Sequence, residues 1–137
     1  MSIKHKPVLG EEFARAILDR ALASARDQGL AASIAIVDDG GFPLCLQRMD
    51  GAGLMTAKVA LEKARTAALI RAPSRILAER IPDELPLLRL TDYLPMAGGL
   101  PIRIHEYCVG GIGVSGGTAD QDERTGTAGL EVLSAGD

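Results

Sequence analysis

The sequence has no tryptophan, and aromatic residues of any kind make up only 3% of its 137 positions. So few rings exclude a base-stacking platform for single-stranded nucleic acid, and they leave the core to Leu, Ile, Val and Ala. Excess basic charge is missing as well. The formal net charge is -3, which argues against a partner whose phosphates must be neutralised. Cysteine is confined to Cys45 and Cys108, with no CxxC pair. Two reduced thiols in or near the core are expected, a disulfide between them being the alternative. Histidine is limited to His5 and His105, without the HExxH or Cys/His clusters that a structural zinc or a metalloprotease requires. A Gly-x-Ser-x-Gly elbow and an evident Ser/His/Asp set are lacking too. No apolar run approaches the roughly 20 residues of a membrane span. Lys4-His5-Lys6-Pro7 leads into an acidic helix start rather than an apolar signal core. A cytoplasmic protein with no membrane and no nucleic-acid partner is the expectation.

What is present is a chain of single-domain length, 47% apolar, much of it Ala, with 16 glycines besides. Leu9 to Gln28 has the spacing of an amphipathic helix, with Phe13, Ile17, Ala21 and Ala25 recurring at four. Glu11 and Glu12 suit its N-terminal end and Gly29 its stop. Ala32 to Val37 and Phe42 to Met49 flank Asp38-Asp39-Gly40-Gly41, which predicts an antiparallel hairpin. A second helix is expected near Met55 to Arg71, ended by Pro73. From Ser74 to Leu90, Pro82 and Pro86 break the chain into helical turns or loop, a lid or a flank. Ile102 to Ile104 and the Gly-rich run Tyr107 to Ser115 form a second hairpin about His105-Glu106. Thr118 to Leu133 closes the chain as a helix whose Thr118 and Gln121 make a capping box. Helix, hairpin, helix, loop, hairpin, helix is an α+β order: one antiparallel sheet with helices packed on it, in one domain covering 1–137.

Gly111-Ile112-Gly113-Val114-Ser115-Gly116 matches the dinucleotide pattern GxGxxG. It is set aside because the glycines lie within a strand and too little chain follows for a βαβ unit. Glycine here lets a backbone or a ligand come close, and Gly116 is kept as a ligand-bordering position. Arg48-Met49-Asp50-Gly51 sits at a strand end beside a helix carrying Glu62, Lys63, Arg65 and Thr66. Arg48 suits a bidentate carboxylate contact and Lys63 a point charge. Lys63 and Arg65 are about 200° apart on a helix, so one of them, not both, faces a given pocket. For each of these residues the competing role is a surface salt bridge. Asp50 and Glu62 are the candidates for moving a proton. His105 is a lone turn histidine and a candidate ligand.

Four segments together resemble the GlcG/HbpS family: Ser33-Ile34-Ala35-Ile36-Val37-Asp38 with Gly40-Gly41; Arg48-Met49-Asp50-Gly51-Ala52; Lys63-Ala64-Arg65-Thr66-Ala67; and Gly98-Gly99-Leu100-Pro101 with Gly110 to Gly117. The likeness runs from the first helix to the last. It implies a PAS- or profilin-like domain with a sheet of about five strands, and homo-oligomers from dimers to octamers. It also implies either haem or corrinoid binding, or a role in breaking down small organic acids. Some relatives look like enzymes on muconate-type acids. The first expectation is therefore a catabolic protein that binds or transforms a muconate-like or hydroxy acid. Arg48, Lys63 or Arg65, Thr66 and Gly116 would hold the acid, and Asp50 or Glu62 would act on it. Were it an enzyme, it would be a hydrolase, lyase or isomerase. The alternative is a non-catalytic haem- or corrinoid-binding module. Its axial ligand would come from His5, His105, Tyr93, Tyr107, Cys45, Cys108 or a Met, with His105 as the candidate.

Overall fold

In the computed structural model, which describes residues 1–90 and 92–136, each sequence pattern becomes an element with a physical reason for its limits. Helix α1 spans Glu11–Asp27 and buries Ala14, Ile17, Leu18, Ala21, Leu22 and Ala25. The buried stripe is centred on Ile17 and Leu18, so Phe13, at its edge, stays 41% exposed. Glu11 and Glu12 face the positive end of the helix dipole and Arg26 the negative end. A Schellman turn ends α1: Leu30 N–H donates to the Ala25 carbonyl and Gly29 N–H to that of Arg26, with Gly29 at φ 68.

Strands β1 (Ser33–Asp38) and β2 (Pro43–Arg48) form the first hairpin, and β3 (Gly99–Ile104) and β4 (Tyr107–Ser115) the second. They make a four-stranded sheet in the order β2-β1-β4-β3, and every neighbouring pair is antiparallel. The strand count is four among the described residues rather than about five. Residues 81–90, interrupted by Pro82 and Pro86, and 92–96, which include Pro95, form no strand. A 3-10 turn at Leu85–Arg89 lies in the first of these, and the short helix α3 (Arg75–Arg80) precedes it.

The sheet is covered on both faces. That is why β1 reads as a continuous apolar run instead of alternating. Ile34, Ile36, Ile112 and Val114 point to one side and meet α1 and α4 (Ala119–Gly136) in the larger core. Ala35 and Val37 point to the other, where α2 (Thr56–Ile70) presents Ala60, Ala64 and Ala68. The strand positions facing α2 on β4 are Gly111 and Gly113. A Cβ at Gly113 would overlap the Ala60 carbonyl oxygen, and one at Gly111 that of Ala64. The GxGxxG run is thus a helix-packing surface, on which the backbone of α2 lies directly against β4. Thr118 and Gln121 cap α4 reciprocally: Thr118 N–H donates to Gln121 Oε1 at 2.9 Å and Gln121 N–H to Thr118 Oγ1 at 3.2 Å. No described helix is long and apolar enough to cross a membrane.

Gly113→Ala is expected to cost about 3 kcal/mol or more, because the neighbour it meets is backbone and cannot rotate away. Urea unfolding measures this; a change below about 0.5 kcal/mol would show that α2 can slide outward at little cost.

Candidate functional site

The outer face of α2 carries Lys58, Leu61, Glu62 and Arg65, spaced i, i+3, i+4 and i+7, so they share one stripe. With Asp92 and Tyr93 they line an open cavity of about 290 Å³. Asp92 is held in the left-handed region, at φ 66. Tyr93 is brought to α2 by its neighbour. Leu94 N–H donates to Thr66 Oγ1 at 2.7 Å, and the Thr66 hydroxyl donates to the Glu62 carbonyl at 2.8 Å. Further along, the Ser74 hydroxyl donates to the Met96 carbonyl at 2.5 Å and accepts from Gly99 N–H at 2.9 Å. Two buried hydroxyls on the α2 side therefore stitch the returning chain along the helix.

Arg65 is the best-held cation of the cavity. Its Nη1 donates to the Gly41 carbonyl at 3.0 Å, and its guanidinium carbon lies 5.9 Å from the centroid of the Phe42 ring. Lys58 is 79% exposed and stands 3.8 Å from Glu62. Lys63, by contrast, points through the helix into the interior. Its ammonium donates to the Val114 carbonyl at 2.9 Å and to Asp122 Oδ2 at 3.1 Å, with both side chains 4% exposed. Asp122 Oδ1 also accepts from Gly117 N–H at 2.9 Å. The structure thus puts the charge of Lys63 to work tying α2 to β4 and α4, and puts Arg65 on the cavity.

Of the residues singled out from the sequence, Glu62 and Arg65 meet in the cavity, and Thr66 lies just beneath it as a support. Arg48, Asp50 and Gly116 do not join them. They cluster at the opposite end of the sheet, where Ser33 pairs in register with both Arg48 and Ser115. That end is roughly 17 Å from the β1–β2 turn at 3.3–3.4 Å per strand residue. Asp50 borders a separate polar cavity of about 300 Å³ with Arg26, Gln47 and Met49. Gly116 is packed against Ala31 and Ala32. His105 occupies the exposed β3–β4 turn at φ 56 and does not line the cavity. Lys58, Leu61 and Asp92 were missed, although the helical spacing of Lys58, Leu61, Glu62 and Arg65 was legible. Tyr93 lay among many candidate ligands, and nothing local marked it.

Other hollows offer less chemistry. A groove of about 380 Å³ between α1 and α4 contains Arg20 and Arg124, but Arg20 is paired with Glu131 at 3.0 Å. One of about 560 Å³ beside β2 contains Cys45, whose thiol is pushed up in pKa, mainly by burial. A protonated thiol is a poor metal ligand. Both cysteines are free, and the described residues hold no cluster of three or more His, Cys, Asp or Glu fit for a metal ion.

An antiparallel sheet between two helical layers, with a charged open cavity on α2, defines a small α+β protein. Residues 9–131 match the family described as haem degrading protein HbpS-like. Protein GlcG of Escherichia coli K12 is 34% identical over 114 residues, covering 82% of this chain and 85% of its own. An uncharacterized 15.0 kDa protein from the dhaT-dhaS intergenic region of Citrobacter freundii is 32% identical over 117 residues, 82% of each chain. A double mutant of Streptomyces reticuli HbpS superposes with a TM-score of 0.90 at 35% identity, covering 96% of this chain and 90% of that one. The complex of PduOC with haem has a TM-score of 0.84 at 22% identity, covering 92% and 95%, a likeness of fold. The chain belongs to the GlcG/HbpS family.

Two outcomes follow from the interior groups. Lys63→Met strands Asp122 without its partner and is expected to cost roughly 3–5 kcal/mol in urea unfolding. The double variant Lys63→Met, Asp122→Leu recovers a large part of it; equal losses in both would mean that the pair acts through packing alone. In the Cys108→Ser variant, Cys45 is expected to react with a disulfide reagent at a rate that rises through a midpoint above the ordinary thiol range, because burial disfavours its thiolate. A midpoint at or below that range contradicts this.

Proposed function

We propose that this chain is a ligand-binding module whose α2 cavity takes a haem-type tetrapyrrole. The observation that carries the reading is that Tyr93 and two cations, Lys58 and Arg65, line one cavity with Leu61, Glu62 and Asp92. A phenolate is an established ligand for haem iron, and paired cations suit carboxylate side arms. Family membership supports the same reading, since the matching family carries a haem-degrading description and one structural neighbour is a complex with haem. Tyr93, Lys58 and Arg65 are the donors this chain would offer to one edge of the macrocycle. Bound haem would supply iron chemistry at that edge; the chain's own residues would hold the side arms and present the phenol.

A volume of about 290 Å³ lies at the low end for small-molecule sites, roughly 300–1,000 Å³, so much of a macrocycle stands outside it. The neighbouring stretch exposes Leu85, Leu88, Leu90 and Met96. In this reading a second copy of the chain covers the remainder, as a homo-oligomer. The same small volume favours a second reading, a muconate-like or hydroxy acid held by Arg65 and Lys58 with Glu62 placed to move a proton.

Titration of the purified protein with haemin, followed at the Soret band, tests the first reading. A saturable band is expected, with a single haem for each subunit or pair of subunits, and Tyr93→Phe is expected to weaken and shift it. A flat response, or a band indifferent to Tyr93→Phe, would remove haem from this cavity. In that case a thermal shift with dicarboxylates is expected instead.

A further inference from the structure

Resting on that cavity, we infer that Arg65 is its carboxylate-selecting residue and that the β1–β2 turn is built to aim it. Among the described residues no carboxylate lies within ion-pairing distance of Arg65; Glu62, one turn away, leans to Lys58 instead. A guanidinium has five N–H donors in a fixed fork, and the bond to Gly41 uses one of them. Glu62 and Asp92 share the cavity, but a partly buried cation with unused donors and, among the described residues, no ion-paired carboxylate is a site for an anionic group on a ligand.

The turn accounts for the aim. Gly41 stands at φ 85, and a Cβ there would lie 3.2 Å from Arg65 Nη1 and 3.3 Å from its Cγ. With a side chain there, the arginine would have to give by a few tenths of an ångström to lie across the turn and reach the Gly41 carbonyl, and a residue other than glycine would be strained at this positive φ. The turn itself is stiff. Asp38 Oδ1 accepts from Gly40 N–H at 3.0 Å and Phe42 N–H at 2.9 Å, and Asp38 N–H donates to the Phe42 carbonyl at 2.9 Å. Lys6 pairs with Asp39 at 2.5 Å on its outer side. A stiff turn that offers a carbonyl and a ring to one side chain fixes its direction in advance, so little freedom is lost when a ligand docks. Gly41 and Phe42 are thus positioning residues and Arg65 the contact. Both a tetrapyrrole side arm and a free dicarboxylate carry the recognised group.

Haemin, haemin dimethyl ester and muconate separate the possibilities. The wild type is expected to bind haemin about tenfold or more tighter than its ester, the worth of a hydrogen bond to a charged group. Arg65→Gln is expected to abolish that preference while retaining the fold by circular dichroism. An ester bound as tightly as the acid, or a preference that survives in Arg65→Gln, overturns the inference and leaves the haem reading standing. Binding of muconate but not haemin, lost in Arg65→Gln, sinks the haem reading and upholds the inference. If no probe binds, both fall. Should Arg65→Gln not fold, Phe42→Ala serves, since that ring is 64% exposed. It is expected to reduce the preference for acid over ester, and an unchanged preference overturns the inference.

Discussion

The backbone of α2 lying against the glycines of β4 is the contact on which the rest depends. Side chains normally hold a helix roughly 10 Å from its neighbour, and here Gly111 and Gly113 remove them on the strand side while Ala60 and Ala64 keep them minimal on the helix side. The two faces of the sheet are consequently unequal. One is filled by Ile and Val against α1 and α4, and the other by Ala and Gly against α2. With few aromatics available, close approach substitutes for bulk, since dispersion grows with the number of atoms in contact.

That closeness settles the direction of every residue on α2. The inner stripe is fixed by the glycines, so Lys63 is carried inward to Val114 and Asp122, and the pair binds three elements at one point. The outer stripe then faces the returning chain, which the Thr66 and Ser74 hydroxyls pin by backbone hydrogen bonds. The cavity is a by-product of this arrangement: a charged helix face, a stiff hairpin turn at one end, and Tyr93 delivered from a distant part of the chain.

Much of the fold was legible because its signals are local. The α1 spacing, the Asp-Gly-Gly turn, the α4 capping box and the placing of the GxGxxG glycines within a strand each depend on a handful of consecutive residues. The family likeness was legible for a similar reason, as an ordered set of such pieces. The site was legible only in part. The angle between Lys63 and Arg65 showed that the two part company, but not which goes inward. The Arg48-Met49-Asp50 segment looked adjacent to the Arg65 helix because both border the first hairpin. The register of β1 shows that they flank opposite ends of it.

By itself, then, the sequence determined the order of elements, the antiparallel pairing within each hairpin and the placing of small residues on the Gly-rich strand. These follow from periodicity, turn chemistry and composition, which act over short separations. Only the tertiary structure decided that Arg65 and Glu62 share a cavity with Tyr93, that Thr66 supports rather than lines it, and that Lys63 is internal. Each of these turns on which stripe of α2 meets β4 and on where residues 92–99 return, contacts between segments far apart in the chain that no local pattern encodes.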